Sequence, residues 1–413
     1  MDISRRDIME TNFKAYFDSL LVNEGVPESF LETRSLTKNV DFSNLVRATS
    51  LEIFSFPENI LSEKIGTHPD FEDADLPKNQ FVCSIFLDIK GSTILALKYP
   101  LDIVQKIKNA VLIFGIEVIK YFGGHIHRIQ GDALFAFTGF QDFKKSDAII
   151  QAITAGSVIQ YFNEKYLKPY FEEELRVSPL KIRIGIDFGD DKEVLWDNYG
   201  IDGINEITVT SIHADLASKL QHKAKSNSIV LGYNAYNYLQ IHSDLLDNVL
   251  DSKGNIDYYI IDRSDLNYRY GMKVFNWEKY LKRISHVSFD AIQLKCFANG
   301  KEYFTNCSLD KGIDLSYKLE ASQFILEDIK EVKWTVFNSG EEAAKAGDLE
   351  HIQESVSKFL CETSTAYNGN HFMQCKISRN KGKDLTLWFT IFVNDDELSS
   401  NYLKKIELIG DKS

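Results

Sequence analysis

FLDIKGST, residues 86–93, ends an apolar run on a carboxylate. The residues before it, Phe81 to Leu87, are almost continuously apolar, the pattern of a strand buried on both faces. Asp88 is out of place there, because an unpaired buried carboxylate is costly. A second aspartate follows 44 residues later, in GGHIHRIQGDALFAF (123–137), where Gly131-Asp132 forms a tight turn between two β-runs. A helical pattern over 101–121 separates them. A strand, a crossover helix and a hairpin return the chain to neighbouring strand ends, so Asp88 and Asp132 are expected side by side. Singly, each is ordinary turn chemistry. Together they form a hard-oxygen site suited to Mg²⁺ or Mn²⁺, with substrate phosphates completing the coordination. Two ions so held activate a hydroxyl nucleophile and stabilise the leaving oxygen in phosphoryl transfer. Gly91, Ser92 and Thr93 then open a helix and offer N–H groups and hydroxyls to a phosphate.

Around these residues the pattern alternates: strand 81–88, helix 101–121, strands 124–130 and 133–138, helix 147–167, strand 180–188, helix 211–224 and strand 228–231. Residues 189–206 read as a loop. The expected class is α+β, with a helical lead-in and linker over 1–78, including an amphipathic helix at 8–21, and a main domain over 79–284. A second, smaller α+β domain over 285–413 is expected to carry one helix near 340–360. There is no internal repeat.

Composition narrows the function classes. A formal net charge of −13 over 413 residues argues against a phosphate-backbone binder, which carries basic stripes. It leaves room for a small polyphosphate neutralised by metal ions. Five scattered cysteines without a CxxC pair indicate neither a disulfide framework nor a zinc site, and point to a reducing cytoplasm. The most apolar stretch, AVLIFGIEVI (110–119), is about half a membrane span, so no membrane partner is expected.

FLDIKGST, GGHIHRIQGDALFAF, LKIRIGIDFG (180–189) and SIHADLASKLQHKA (211–224) resemble, in order and spacing, the four signature blocks of class III nucleotidyl cyclases. The resemblance spans about 81–277 and implies a ferredoxin-like palm, an antiparallel sheet with flanking helices, working as a head-to-tail homodimer with composite sites. It implies that Asp88 and Asp132 hold two Mn²⁺ or Mg²⁺ ions, with the backbone carbonyl of Ile89 as a further ligand. It also implies attack of a ribose 3′-hydroxyl on the α-phosphate, giving a 3′,5′-cyclic nucleotide and pyrophosphate.

The family's base-reading positions fall on Arg128 and, counted back from the last helix, Thr208. Adenine would lack a carboxylate acceptor near Thr208, and guanine a glutamate at Arg128. An unpaired buried polar group costs about 1–3 kcal/mol. Uracil offers carbonyls to Arg128 and an N3–H to a threonine oxygen, whereas the amine of cytosine needs a partner. UTP is therefore favoured, with CTP and the purine nucleotides as alternatives. The family's ribose-orienting asparagine and transition-state arginine are replaced by Asp215 and Lys219. Lysine lacks the bidentate fork, and the bland alternative is an i,i+4 helix pair. Lys223 or Lys181 could serve the triphosphate instead, and Arg183 reads as structural. The substitutions also admit a degenerate cyclase acting as a nucleotide-binding sensor.

VKWTVFNSGEEA (332–343) and YNGNHFMQC (367–375) resemble the sensor domain appended to adenylyl/guanylyl cyclases and related nucleotidyltransferases of bacterial antiviral systems. His371 within it reads as a packed strand histidine. Cyclase plus sensor is most similar to the pyrimidine cyclases of Pycsar anti-phage systems. That resemblance implies a cyclic UMP or cyclic CMP messenger acting on a separate cyclic-nucleotide-binding effector.

Overall fold

The structure, a computed structural model, describes residues 46–47, 50, 58–174, 176–178, 180–263, 266–284 and 292–404. The helix expected at 8–21 lies outside them. Strand β1 (Lys78–Asn79) leads into the buried strand β2 (Val82–Ile89), then helices α1 (Ser92–Lys98) and α2 (Leu101–Tyr121). The hairpin β3 (His125–Gln130) and β4 (Ala133–Thr138) follows, then α3 (Lys145–Phe162) and β5 (Ile182–Gly189). An arm, β6 (Leu195–Ile201) and β7 (Ile204–Thr210), replaces most of the loop expected over 189–206 and precedes α4 (Ile212–Lys223). The domain closes with β8 (Ser228–Gly232), α5 (Tyr233–Tyr238), β9 (Leu246–Asn248), β10 (Tyr259–Arg263), β11 (Leu266–Tyr270), β12 (Met272–Phe275) and α6 (Trp277–Ile284).

The central sheet runs β3-β4-β2-β5-β8-β12-β9 and is antiparallel except for β5 against β8. Its β2-α2-β3-β4-α3-β5 unit has the spatial order second, third, first, fourth, which is the ferredoxin-like arrangement. Cys83, Ile85, Leu87 and Ile89 of β2 face α2 and α3 in the main core, among Val111, Phe114, Val118, Ile149 and Ile153. The opposite face carries Val82, Phe137 and Trp196 on Phe71. Further along that face α4 lies directly on β5. A Cβ at Gly185 would sit 2.0 Å from the Ala217 carbonyl oxygen, so glycine is what admits the helix. Among the described residues no helix is long and apolar enough to cross a membrane, and all five cysteines are free.

The C-terminal part is a sandwich of two five-stranded sheets. Its elements are β13 (Gln293–Ala298), β14 (Lys301–Tyr303), β15 (Cys307–Asp310), β16 (Asp314–Glu320), α7 (Gln323–Asp328), β17 (Ile329–Phe337), α8 (Gly340–Ala346), β18 (Glu350–Ile352), β19 (Ser355–Ser357), β20 (Leu360–Ser364), β21 (Gly369–Arg379), β22 (Leu385–Asn394) and α9 (Asp396–Asn401). Sheet β14-β13-β16-β20-β19 covers sheet β15-β22-β21-β17-β18, with Tyr317, Trp334, Met373 and Phe389 in the core between them. The helix expected near 340–360 stops at Ala346, because Gly347 takes a left-handed φ of 70° and ends it. Strands β18 and β19 occupy the rest. His371 is a packed strand histidine, donating Nε2–H to the Tyr367 carbonyl at 2.8 Å.

The sandwich rests on α3, α5 and α6 on the helical side of the central sheet. Phe372 and Phe392 enter the main core. Arg283 stacks on Phe372 and Trp388 while bonding Asp244 at 2.8 Å. Tyr280 donates to Asn306 and shares a bond with Thr154.

Candidate active site

Asp88 ends β2, and Leu87 pairs with Leu134 at the start of β4. Continuing that register puts Asp132, in the β3–β4 turn, one residue beyond the position opposite Asp88. Gly131 makes the turn at φ 66°. The two carboxylates thus share one end of the sheet. Asp88 Oδ2 accepts from Arg183 on β5 at 2.5 Å and from the Gln221 side chain on α4 at 2.8 Å. Arg183, read from sequence as structural, is the cross-strand partner of Asp88. Asp132 Oδ1 lies 3.7 Å from Lys108 of α2.

The open valences fit a divalent ion. Asp132 Oδ2 and Gln221 Oε1 are buried acceptors without a hydrogen-bond partner, a costly state that a cation relieves. Among the described residues no cluster of three or more His, Cys, Asp or Glu side chains surrounds a metal-sized point. An ion held here would therefore have at most the two carboxylates from this chain, and substrate oxygens would have to complete its shell. When bound, such ions supply charge neutralisation on the phosphates and a lowered pKa for the attacking hydroxyl. The Ile89 side chain is buried in the core, so only its carbonyl could face the site. Gly91, at φ 78°, is the N-cap of α1, and no side chain caps that helix. Ser92 and Thr93 occupy its first turn.

The base-reading candidates come from β3 and β7. A bulge lets His127 and Arg128 share the position opposite Phe135, and both reach β7. Arg128 forms an ion pair with Glu206, and His127 Nε2 lies 2.9 Å from the Thr208 hydroxyl. The structure therefore joins Arg128 to a carboxylate two residues before Thr208. Counting back from α4 could not reveal it, since the arm had no recognisable register in the sequence.

Asp215 and Lys219 project from α4 into solvent, both exposed, and they form no ion pair with each other. Lys181 is exposed on the strand side, whereas Lys223 is engaged by Asp257 at 2.7 Å. The first turn of α4 is pinned by a charged triad, buried at His213 and Asp187 and partly exposed at Glu193, that the sequence did not disclose. His213 Nδ1 contacts Asp187 at 2.9 Å and Nε2 contacts Glu193 at 3.0 Å. Tyr270 donates to the other Asp187 oxygen at 2.8 Å. Burial alone would lower the His213 pKa, but the two carboxylates outweigh it and hold it at about 9. The imidazolium thereby locks α4, and with it Gln221, against β5.

The sequence profile of the adenylyl/guanylyl and SMODS C-terminal sensor domain matches residues 272–385. A protein of Staphylococcus aureus named cytidylate cyclase is 44% identical over 369 residues, covering 84% of this chain and 86% of its own. An Escherichia coli protein of the same name is 34% identical over 422 residues, covering 92% and 90%. Among solved structures, the adenylyl cyclase CyaB from P. aeruginosa is similar at TM-score 0.40 and 18% identity, over 49% of this chain and 96% of that one. With two carboxylates at one end of a ferredoxin-like sheet and relatives matched over most of both chains, the chain belongs to the class III nucleotidyl cyclases that carry a C-terminal sensor domain.

Proposed function

We propose that this nucleotidyl cyclase acts on CTP, releasing pyrophosphate and 3′,5′-cyclic CMP. The observation that carries this reading is the Arg128–Glu206 pair. Cytosine presents an amine at C4 beside two acceptors, N3 and O2. Glu206 accepts from the amine while Arg128 donates to the ring side. Uracil would turn its O4 lone pairs onto the Glu206 carboxylate, a mismatch of about 1–3 kcal/mol. The preference for UTP drawn from sequence rested on the lack of a partner for the cytosine amine, and Glu206 supplies one. Adenine shares the amine-beside-nitrogen edge, but the length of Arg128 favours a single ring. Relatives named cytidylate cyclase add weight to the same base.

In this reading the 3′-oxygen of the ribose bonds to the α-phosphorus, the bond to the pyrophosphate oxygen breaks, and the hydroxyl proton passes to solvent. Asp88 and Asp132 hold the divalent ions, Arg183 and Gln221 orient Asp88, and Lys219 neutralises charge on the reacting phosphate. Asp215 orients the ribose. We place the complete site in a homodimer. In support, Ile94, Leu97 and Leu101 beside the carboxylate end and Ile201 and Ile204 on the arm tip are all exposed apolar side chains. The sensor-domain resemblance supports a role for the cyclic nucleotide as a cytoplasmic messenger to an effector in antiviral signalling.

The test is incubation of the purified chain with Mn²⁺ and each nucleoside triphosphate separately, with products identified by mass. Cyclic CMP formation, abolished by EDTA and by Asp88→Asn, is expected. A sole product of cyclic UMP, cyclic AMP or cyclic GMP overturns the choice of base, and no cyclic product overturns the catalytic reading.

A further inference from the structure

Thr208 carries a hydroxyl, which is ambidextrous by chemistry. It can donate to the O4 of uracil or accept from the amine of cytosine, so alone it discriminates poorly. Its setting removes that freedom. Behind it lies His127, 1% exposed, with Nε2 2.9 Å from the Thr208 oxygen and Nδ1 2.9 Å from the Gly66 carbonyl. A carbonyl oxygen only accepts, so Nδ1 carries the proton. Burial, against the weaker pull of that carbonyl, holds the His127 pKa below its ordinary value, and the nearby Arg128 charge acts in the same direction. The ring is then neutral, and Nε2 presents a lone pair. Only Thr208 can supply the proton for that bond.

The same carbonyl fixes the neighbouring ring. His125 Nε2 donates to Gly66 at 2.9 Å, and its Nδ1 accepts from Ser62 at 2.8 Å. Gly66 itself is anchored by its N–H on the Ile126 carbonyl. The tautomer of His127 is thus set by main chain that cannot reverse its polarity.

We propose that His127 is a specificity-setting residue: by taking the Thr208 hydroxyl proton it makes that oxygen an obligate acceptor, which suits the C4 amine of cytosine and repels the C4 carbonyl of uracil. This rests on the CTP reading above and deepens it. The cytosine amine has two hydrogens, and β7 now offers two acceptors, Glu206 and Thr208, on one side of the strand. Acceptors of one amine stand about 5 Å apart when each bond is about 2.9 Å. Side chains two residues apart on a strand rise about 6.6 Å, so modest leaning brings both heads into range. His127 touches no substrate atom and acts through Thr208 as a positioning residue.

The experiment is competition between equimolar CTP and UTP with Mn²⁺, reading the cyclic CMP to cyclic UMP ratio by mass for the full chain. His127→Phe frees the Thr208 proton, and the ratio is expected to fall about tenfold. Thr208→Val is expected to lower it similarly, Thr208→Ser to preserve it, and the double variant H127F/T208V to fall no further than T208V. An unchanged ratio in H127F, where the wild type forms cyclic CMP, overturns this inference and leaves the CTP reading standing. A wild type that forms no cyclic CMP overturns the CTP reading and this inference with it. A measurement on the wild type alone covers the case of a poorly folding H127F. Nitrogen NMR of ¹⁵N-histidine-labelled protein should show His127 as the Nδ1–H tautomer, and an Nε2–H tautomer sinks the proposal.

Discussion

Gln221, in the last turn of α4, donates its side-chain amide to Oδ2 of Asp88 at 2.8 Å, across 133 residues of sequence. The same oxygen accepts Arg183, so Asp88 is held from a strand and from a helix at once. Groups that orient a metal ligand typically affect metal affinity by 10- to 100-fold. Gln221→Ala removes one support and leaves the carboxylate. The expected outcome is a rise of about tenfold in the Mn²⁺ concentration giving half-maximal pyrophosphate release, with kcat recovered at saturating metal. An unaltered Mn²⁺ titration would show that Arg183 suffices to hold Asp88.

How much of this was legible beforehand depends on the range of the signal. The strand–helix–hairpin order fixed the neighbourhood of Asp88 and Asp132, because topology rules act on whole elements. The glycine inside LKIRIGIDFG carried an unread message: only a residue without Cβ lets α4 settle on β5, and that contact delivers Gln221. Glu206 was missed for another reason. Its pairing depends on the register of a β-arm whose polar, half-exposed strands lack the apolar alternation that pins register elsewhere. The His213 triad was invisible for the same kind of reason, since its members lie on β5, on the link into the arm, and on α4.

Lys219, exposed on α4, is the residue proposed to neutralise charge on the reacting phosphate. Surface substitutions of this kind usually change stability by about 0.5 kcal/mol or less, so a kinetic effect can be read cleanly. Lys219→Ala is expected to lower kcat about 10²-fold with a small change in KM, the pattern of an interaction made in the transition state. Lys219→Arg keeps the charge and adds the bidentate fork, and should retain or raise kcat. If K219A turns over like the wild type, the phosphate charge is met by another cation, with Lys181 the next to test.

The His213 imidazolium links stability to pH. Its pKa is about 9 in the fold, against about 6.5 in an unfolded chain. The folded state therefore binds the proton more tightly. The resulting stabilisation is complete below pH 6.5 and is lost as pH rises through 9. A shift of that size corresponds to about 3 kcal/mol at most. Urea unfolding at intervals between pH 6 and 9.5 should show stability falling across this window. His213→Gln should be less stable at pH 6.5 and lose the slope. A wild-type profile flat from 6.5 to 9 would mean that Asp187 and Glu193 do not hold the ring charged.

Asp147, at the interface between the two domains, gives a slope of the same sign in a more acidic window, but here the charged form is the costly one. It lies in the first turn of α3, and its carboxyl is raised to about 6, chiefly by burial, with Asp396 and Asp310 of the C-terminal part adding to the rise against the pull of Lys144. A carboxyl raised in the fold favours folding when protonated, so its contribution is present below pH 3.8 and disappears as pH climbs through 6. At pH 7.5 the charge is a net cost of about 1–2 kcal/mol, after discounting for water at the interface. A carboxylate near a helix N-terminus gains only about 0.3–1 kcal/mol in return. Asp147→Asn is therefore expected to raise the thermal midpoint at pH 7.5, and to raise it less at pH 5, where the wild-type carboxyl is already mostly protonated. Equal gains at both pH values would assign the effect to packing, and a loss at pH 7.5 would show that the Lys144 attraction outweighs the burial.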